Sequence, residues 1–154
     1  MNQSLGYRMR LQVLVDRTDR LRPGTDPELI AHWTRYLCVL LSGMIEVCVQ
    51  EYFSDYALVR SERRVYSYVE TQLHHLQNPK MEKIVSVAAM FDAVWAERLR
   101  AQTDGELKDA IDSVVANRNL IAHGESVGLS FDRLQEYHRR VCRVLDIVQT
   151  LCTS

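Results

Sequence analysis

Glycine and proline are scarce in this chain, which has six glycines and three prolines in 154 residues. So few helix-breaking residues, beside many Leu, Val, Arg and Glu, favour helices over a turn-rich β fold. Neither sign of charge is in excess, since the formal net charge is −1. This balance argues against a protein that coats nucleic acid non-specifically, because such proteins carry a large basic excess.

Lysine is also rare, with Lys80, Lys83 and Lys108 standing against sixteen arginines. Arginine can hold a phosphate with two hydrogen bonds and stack on a base, whereas lysine acts more as a point charge. A local arginine-lined cleft is therefore compatible with a neutral chain. A compositional bias toward arginine is the alternative explanation.

CxxC pairs are missing. The cysteines lie in apolar, helical contexts typical of reduced core residues in a cytosolic protein, and they are Cys38, Cys48, Cys142 and Cys152. His138 and Cys142 share a helix face as metal ligands can, but no further ligand pair accompanies them. We therefore expect neither a metal nor a cofactor.

Signals for export and membrane insertion are missing as well. Arg8, Arg10 and Asp16 fall within the first helical stretch, where a secretory signal would be apolar. The most apolar stretch, 37–49, is interrupted by Ser42 and Glu46 and is too short to span a bilayer. We expect a cytoplasmic protein that does not associate with a membrane.

The apolar spacing predicts an all-α helical bundle of about five to six helices, built as a single domain over residues 1–154. The first expected helix ends near residue 22. The others cover about 25–56, 58–76, 81–99, 103–123 and 130–152. The second should be the central, most buried helix. Thr25 with Glu28, and Thr103 with Glu106, have the spacing of capping boxes. Gly124 suits a left-handed helix end.

The segment 118–124 reads Arg-Asn-Leu-Ile-Ala-His-Gly and carries three polar groups able to handle a phosphodiester. Asn119 and His123 are four residues apart and share a helix face. Arg118 lies about 140° from His123 around an ideal helix. One regular helix does not bring these two side chains together, so the site needs a second chain or a departure from helix geometry near Gly124.

These residue types suit RNA cleavage, because RNA carries its own nucleophile in the 2′-hydroxyl beside the scissile phosphate. His123 can accept or donate a proton near neutral pH. Arg118 can hold the non-bridging oxygens as charge grows on them, and Asn119 can orient the histidine or bond the phosphate. No metal is required. The alternative interpretation is that Arg118 and Asn119 are ordinary surface residues and His123 a hydrogen-bonded histidine at a helix end.

The same segment resembles the signature of the HEPN superfamily: Arg, four to six residues, then His, with Asn commonly following the Arg. The segment 40–46, Leu-Leu-Ser-Gly-Met-Ile-Glu, is similar to the corresponding helix of the RiboL-PSP-type branch. The resemblance implies a helical domain that dimerises, placing two copies of the motif across a shared cleft. It further implies a metal-independent endoribonuclease that leaves a cyclic phosphate and a 5′-hydroxyl.

Many proteins of this superfamily are toxins or phage-defence proteins, so the resemblance also implies a cognate antitoxin or defence-system partner. Others keep the fold as non-catalytic interaction or RNA-binding modules, or as antitoxin or immunity components, and these remain alternatives. Members paired with nucleotidyltransferase antitoxins tend to carry Tyr two residues after the His. Glu125 occupies that position here, which argues against regulation by modification of a tyrosine.

Ser42, Glu46 and Gln50 form a polar stripe on the apolar central helix. Ser42 and Glu46 are candidates to support the site, with Glu46 orienting Arg118 or His123. The alternative is that the stripe is the exposed face of this helix. Tyr66 and Tyr68 are further candidates to stack on bases, although tyrosine at helical spacing is more often part of a core.

Overall fold

The structure is a computed structural model that describes residues 2–154. Within this range the chain forms seven α-helices, a short 3₁₀ turn at Arg22–Gly24 and no β-strand. The helices are α1 Gln3–Leu21, α2 Pro27–Arg60, α3 Arg63–Leu73, α4 Met81–Phe91, α5 Ala93–Thr103, α6 Glu106–Ala122 and α7 Phe131–Thr153. The all-α bundle predicted from the sequence is confirmed, but the predicted count of five to six helices is too low.

Helix α2 is the centre of the bundle, as predicted, and packs against α1, α3, α6 and α7. It begins where the Asp26 carboxylate accepts the N–H of Glu28 at 2.9 Å, with Pro27 in the first turn. The predicted cap at Thr25 is wrong, because its hydroxyl donates backward to the carbonyl of Leu21. Aspartate at this position satisfies a free N–H of the first turn and so fixes where α2 starts.

Helix α2 is also longer than its apolar sequence stretch. Among the helices in residues 2–154 it is the one that could cross a membrane, judged by length and composition alone. However, 56% of its most apolar window is buried inside the bundle. The core helix of a globular protein meets the same criteria, and the packing of α2 against four neighbours fits that description.

The additional helix arises from a break at Asp92, within the single helix predicted over 81–99. Asp92 is extended (φ −162°, ψ 123°), and its carboxylate accepts the N–H of Val94 at 2.8 Å, which starts α5. The break leaves Phe91 and Trp95 stacked, with ring centroids 6.1 Å apart. The apolar pattern continues through the bend because both rings pack against α2 at Phe53.

Helix α6, which carries the motif, has ends of two different kinds. Its start is not the predicted capping box: Thr103 is buried at the end of α5, and Gly105 (φ 81°) precedes Glu106 without a side-chain cap. Its end is the predicted one. Gly124 is left-handed (φ 76°) and donates to the carbonyl of Ile121, while the N–H of Glu125 donates to Leu120 at 2.9 Å. This pair of bonds is a Schellman motif.

Candidate active site

Arg118 lies on the face of α6 that packs into the bundle. It follows Val114 by four residues and Val115 by three, so all three side chains share one side of the helix. Val114 and Val115 are almost fully buried, and Arg118, nearer the helix end, is half-buried. The apolar spacing of α6 therefore directs the Arg118 side chain inward rather than into solvent.

A cleft of about 380 Å³ contains Arg118. Its walls come from α1, α2, the α3–α4 connection and α6, through Tyr7, Val39, Leu40, Gly43, Glu46, Gln77, Asn78 and Arg118. Arg118 is the one cationic side chain of this lining, and it has no ion-pair partner within residues 2–154. Its guanidinium makes one long side-chain hydrogen bond, from Nη1 to the Asn119 Oδ1 at 3.4 Å. Most guanidinium donors are therefore available to an anion.

Glu46 lines the same cleft, as the predicted supporting role requires, but its carboxylate is engaged elsewhere. It accepts the backbone N–H of Asn78 at 2.6 Å. Gln50, one turn further along α2, donates to the carbonyl of Leu76 at 2.8 Å. The two polar side chains therefore anchor the α3–α4 connection and hold its Asn78 in the cleft wall. Asn78 itself is left-handed (φ 45°), a conformation that asparagine tolerates better than most residues.

Ser42, the other predicted supporting residue, is fully buried and does not line the cleft. Its hydroxyl makes no hydrogen bond within residues 2–154. With Ser42 buried and Glu46 and Gln50 half-buried, the polar stripe of α2 is not an exposed face either. It is the side of α2 that meets neighbouring segments of the chain.

Tyr7 is a cleft residue that the sequence analysis missed. Its hydroxyl donates to the carbonyl of Leu40 at 2.8 Å, and the Arg10 guanidinium lies 5.9 Å from its ring centroid. Burial raises the pKa of Tyr7, and the neighbouring Cys48 and Tyr36 add to this rise. Gly43 leaves room for the ring, since a Cβ there would lie 2.6 Å from the Tyr7 oxygen. Tyr7 lies 111 residues before Arg118 in the chain, so no local sequence pattern links it to the motif.

Asn119 and His123 lie beyond the cleft. Asn119 is half-buried, whereas His123 is exposed at the C-cap of α6, where φ −90° and ψ 9° leave the helical region. The helix thus leaves ideal geometry next to Gly124, which is one of the two ways of completing the site that the sequence left open. This departure does not bring His123 into the cleft that holds Arg118. Within one chain, the Arg118 guanidinium and the His123 imidazole therefore lie in different surroundings.

The remaining candidates from the sequence lie away from Arg118. His138 is buried with its Nε2 3.6 Å from the Cys142 Sγ, and no three His, Cys, Asp or Glu side chains in residues 2–154 form a metal-binding group. Tyr66 donates to Glu70 at 3.0 Å, and Tyr68 lies in a separate groove between α3 and α4. All four cysteines are free, and three of them are fully buried in the core, as predicted.

Comparison with known proteins places this arrangement in a family. No curated protein and no solved structure shows a significant match to the chain. The family described as RiboL-PSP-HEPN matches residues 10–154, which include all seven helices except the first turns of α1. The match contains the cleft residue Arg118 together with Asn119 and His123. The chain is therefore a member of the RiboL-PSP-HEPN family.

Proposed function

We propose that this protein is a metal-independent endoribonuclease whose active site is built from Arg118, Asn119 and His123. The observation that carries the proposal is the unpaired guanidinium of Arg118 in a cleft of about 380 Å³. A half-buried arginine without a carboxylate partner keeps its guanidinium donors open to an anion. A phosphodiester suits the site, since guanidinium donors match two phosphate oxygens.

The reaction transfers the phosphoryl group within the RNA. The 2′-oxygen loses its proton to a base and bonds to phosphorus, while the bond to the 5′-oxygen of the next nucleotide breaks and that oxygen is protonated. The products are a cyclic 2′,3′-phosphate and a 5′-hydroxyl. His123 supplies one of the two proton transfers, and Arg118 stabilises the charge that develops on the non-bridging oxygens. Asn119 positions the guanidinium through the bond between their side chains.

The site is completed by a second copy of the chain. Arg118 and His123 face different surroundings within one protomer, so an Arg118 from one chain works with a His123 from its partner. Leu120, between them in the motif, is 38% exposed, as an interface residue would be before association. A two-fold interface repeats any such contact, which gives two equivalent sites in one shared cleft.

Family membership favours a toxin or phage-defence role, with RNA as substrate and a cognate antitoxin or defence-system protein as partner, in the cytoplasm. The second candidate is a non-catalytic HEPN interaction or RNA-binding module, or an antitoxin or immunity component. The long 3.4 Å bond between Arg118 and Asn119 leaves the guanidinium free to bind an anion, which the nuclease and an RNA-binding module both need, so a cleavage test separates the two candidates.

The test is cleavage of a single-stranded RNA by the purified chain in excess chelator. We expect cleavage to persist, to leave a cyclic phosphate, and to stop when the scissile nucleotide lacks its 2′-hydroxyl. A preparation of His123→Gln made by the same procedure controls for contaminating nuclease. Cleavage that requires added magnesium would contradict the mechanism, and a parent chain without activity would favour the non-catalytic module.

A further inference from the structure

One face of α2 lines the Arg118 cleft, and the same face continues past the cleft as an aromatic surface. Leu40 and Gly43 line the cleft. Tyr36 precedes Leu40 by four residues and Trp33 precedes Tyr36 by three, a spacing that keeps all of them on one side of the helix. With a rise of about 1.5 Å per residue, Tyr36 lies about 6 Å and Trp33 about 10 Å along α2 from Leu40.

The Trp33 ring is held in place by a hydrogen bond, and both rings remain open to solvent. Trp33 is 36% and Tyr36 is 48% exposed, and their centroids are 4.9 Å apart at an interplanar angle of 42°. The Trp33 Nε1 donates to the Thr18 hydroxyl at 2.6 Å, and that hydroxyl donates to the carbonyl of Leu14. The indole is thus fixed by its polar edge to α1, so little conformational entropy is lost when a flat group stacks on the pair.

Helices α1 and α2, which carry Thr18 and the two rings, also carry arginines that can bind the phosphate of a nucleotide. Arg10 lies over the ring of Tyr7, which lines the cleft, and Arg35, next to Tyr36 in the sequence, bonds the His32 ring at 2.8 Å. Neither arginine has an ion pair within residues 2–154. The carboxylate of the cleft, Glu46, is already bonded to the Asn78 backbone. Exposed aromatic faces and arginines without ion pairs are the two kinds of group that bind the bases and the backbone of single-stranded nucleic acid.

We infer that Trp33 and Tyr36 form a stacking platform for an unpaired base next to the phosphate held by Arg118, and that the substrate is single-stranded RNA. The inference rests on the proposed function for the position of the phosphate. A base within a duplex is stacked on its neighbours and cannot reach such a platform, so paired RNA is disfavoured. The platform sets which nucleotide lies beside the scissile bond, and it takes no part in proton transfer.

The test measures binding, with a 12-nucleotide RNA fully 2′-O-methylated so that it cannot be cut through its 2′-oxygens. Trp33→Leu and Tyr36→Leu should each weaken its binding by roughly 5- to 150-fold, the usual worth of one stacked base. Tyr36→Phe keeps the ring and should bind like the parent chain. Tyr68, which the sequence offered as a stacking residue, is 67% exposed and lies in the separate groove between α3 and α4, so Tyr68→Leu is the matched control and should also bind like the parent.

A scan with single abasic nucleotides sharpens the test. An abasic nucleotide at one position should weaken RNA binding by the parent chain. The same abasic nucleotide should weaken binding by Tyr36→Leu much less, because the missing base and the missing ring belong to one stacking interaction. A duplex of the same sequence should bind more weakly than the single strand and should be insensitive to Tyr36→Leu. Circular dichroism shows which variants are folded. Trp33→Phe, with the smaller ring, replaces Trp33→Leu if loss of the indole disrupts α1.

Folded Trp33 and Tyr36 variants that bind like the parent chain would overturn the platform. So would a Tyr36→Leu variant that changes from dimer to monomer in sedimentation, since the rings would then be covered by a second copy. Cleavage of unmodified RNA is measured separately. If the parent chain cleaves RNA but the Trp33 and Tyr36 variants bind as well as the parent, the platform alone is rejected. If those variants bind more weakly but the parent does not cleave RNA, the nuclease is rejected and the platform is retained.

Discussion

The side chains of Arg118 and Asn119 are joined by a hydrogen bond, with Nη1 3.4 Å from Oδ1, although the two residues are adjacent on α6. Consecutive helix positions point about 100° apart, so the guanidinium has to bend along the helix surface to make this bond. A distance of 3.4 Å is longer than the usual range for N–H···O bonds. The contact can therefore be exchanged for a phosphate oxygen at little cost, while Asn119 still limits where the guanidinium can go.

Replacement of His123 tests the proton-transfer step. His123→Ala should lower the single-turnover cleavage rate by roughly 10²–10⁴-fold, the usual contribution of a positioned acid or base. The side chain is exposed at a helix end, so the variant should keep the helical content and thermal stability of the parent. A folded His123→Ala chain that cleaves at the parent rate would contradict the assignment.

Arg118→Lys tests whether the fork of the guanidinium is needed. We expect a loss of roughly 10²-fold or more in cleavage rate, because one ammonium cannot contact two developing oxyanion positions in the same way. Binding of the uncleavable RNA should fall much less, since the positive charge is kept. Equal losses in binding and in cleavage rate would show that Arg118 contributes to substrate binding and gives the transition state no additional stabilisation.

Association is tested by mixing two inactive chains. Sedimentation should report about twice the protomer mass of 17.9 kDa. If each site takes Arg118 from one chain and His123 from its partner, Arg118→Ala mixed with His123→Ala should regain about a quarter of the parent activity through mixed dimers. A parent chain that is monomeric and fully active, or a mixture that stays inactive after subunit exchange, would rule out the shared site.

The left-handed glycine at the end of α6 offers a test of stability. No atom lies within 4 Å of a Cβ built on Gly124, so Gly124→Ala should cost only the left-handed backbone penalty, about 1–2 kcal/mol. We expect a Tm lower by roughly 2–8 °C. Gly128→Ala is the control, since its surroundings are equally open and its φ lies outside the left-handed range. A Tm equally lowered in both variants would mean that helix termination is not the cause.

His138 should make the protein less stable in mild acid. Burial lowers its pKa, and Arg8 and Arg139 lower it further, against an opposing effect of Asp16. Below about pH 6.5 the unfolded chain then binds more protons at this residue than the folded one, so the free energy of unfolding falls as the pH falls. Urea titrations between about pH 7.5 and 5.5 should show that the free energy of unfolding depends less on pH in folded His138→Gln than in the parent chain. An unchanged dependence would show that other groups control it.

Much of the fold follows from local patterns. The central position of α2, the core location of the cysteines and the left-handed end at Gly124 were all predictable, because helix periodicity and glycine conformation depend on neighbouring residues alone. The break at Asp92 was not. Apolar residues keep their spacing on both sides of it, and only the packing of Phe91 and Trp95 against Phe53 shows that a bend retains both rings in the core.

The candidate site divides in the same way. The sequence by itself determined that Arg118, Asn119 and His123 lie on one helix end and that Arg118 and His123 diverge around it, since this is a matter of 100° per residue. Only the tertiary structure decided that Arg118 shares a cleft with Tyr7 and Glu46, because α1, α2 and α6 meet through side chains far apart in the chain. Helix geometry assigns each residue to a face, and packing between helices decides which faces meet.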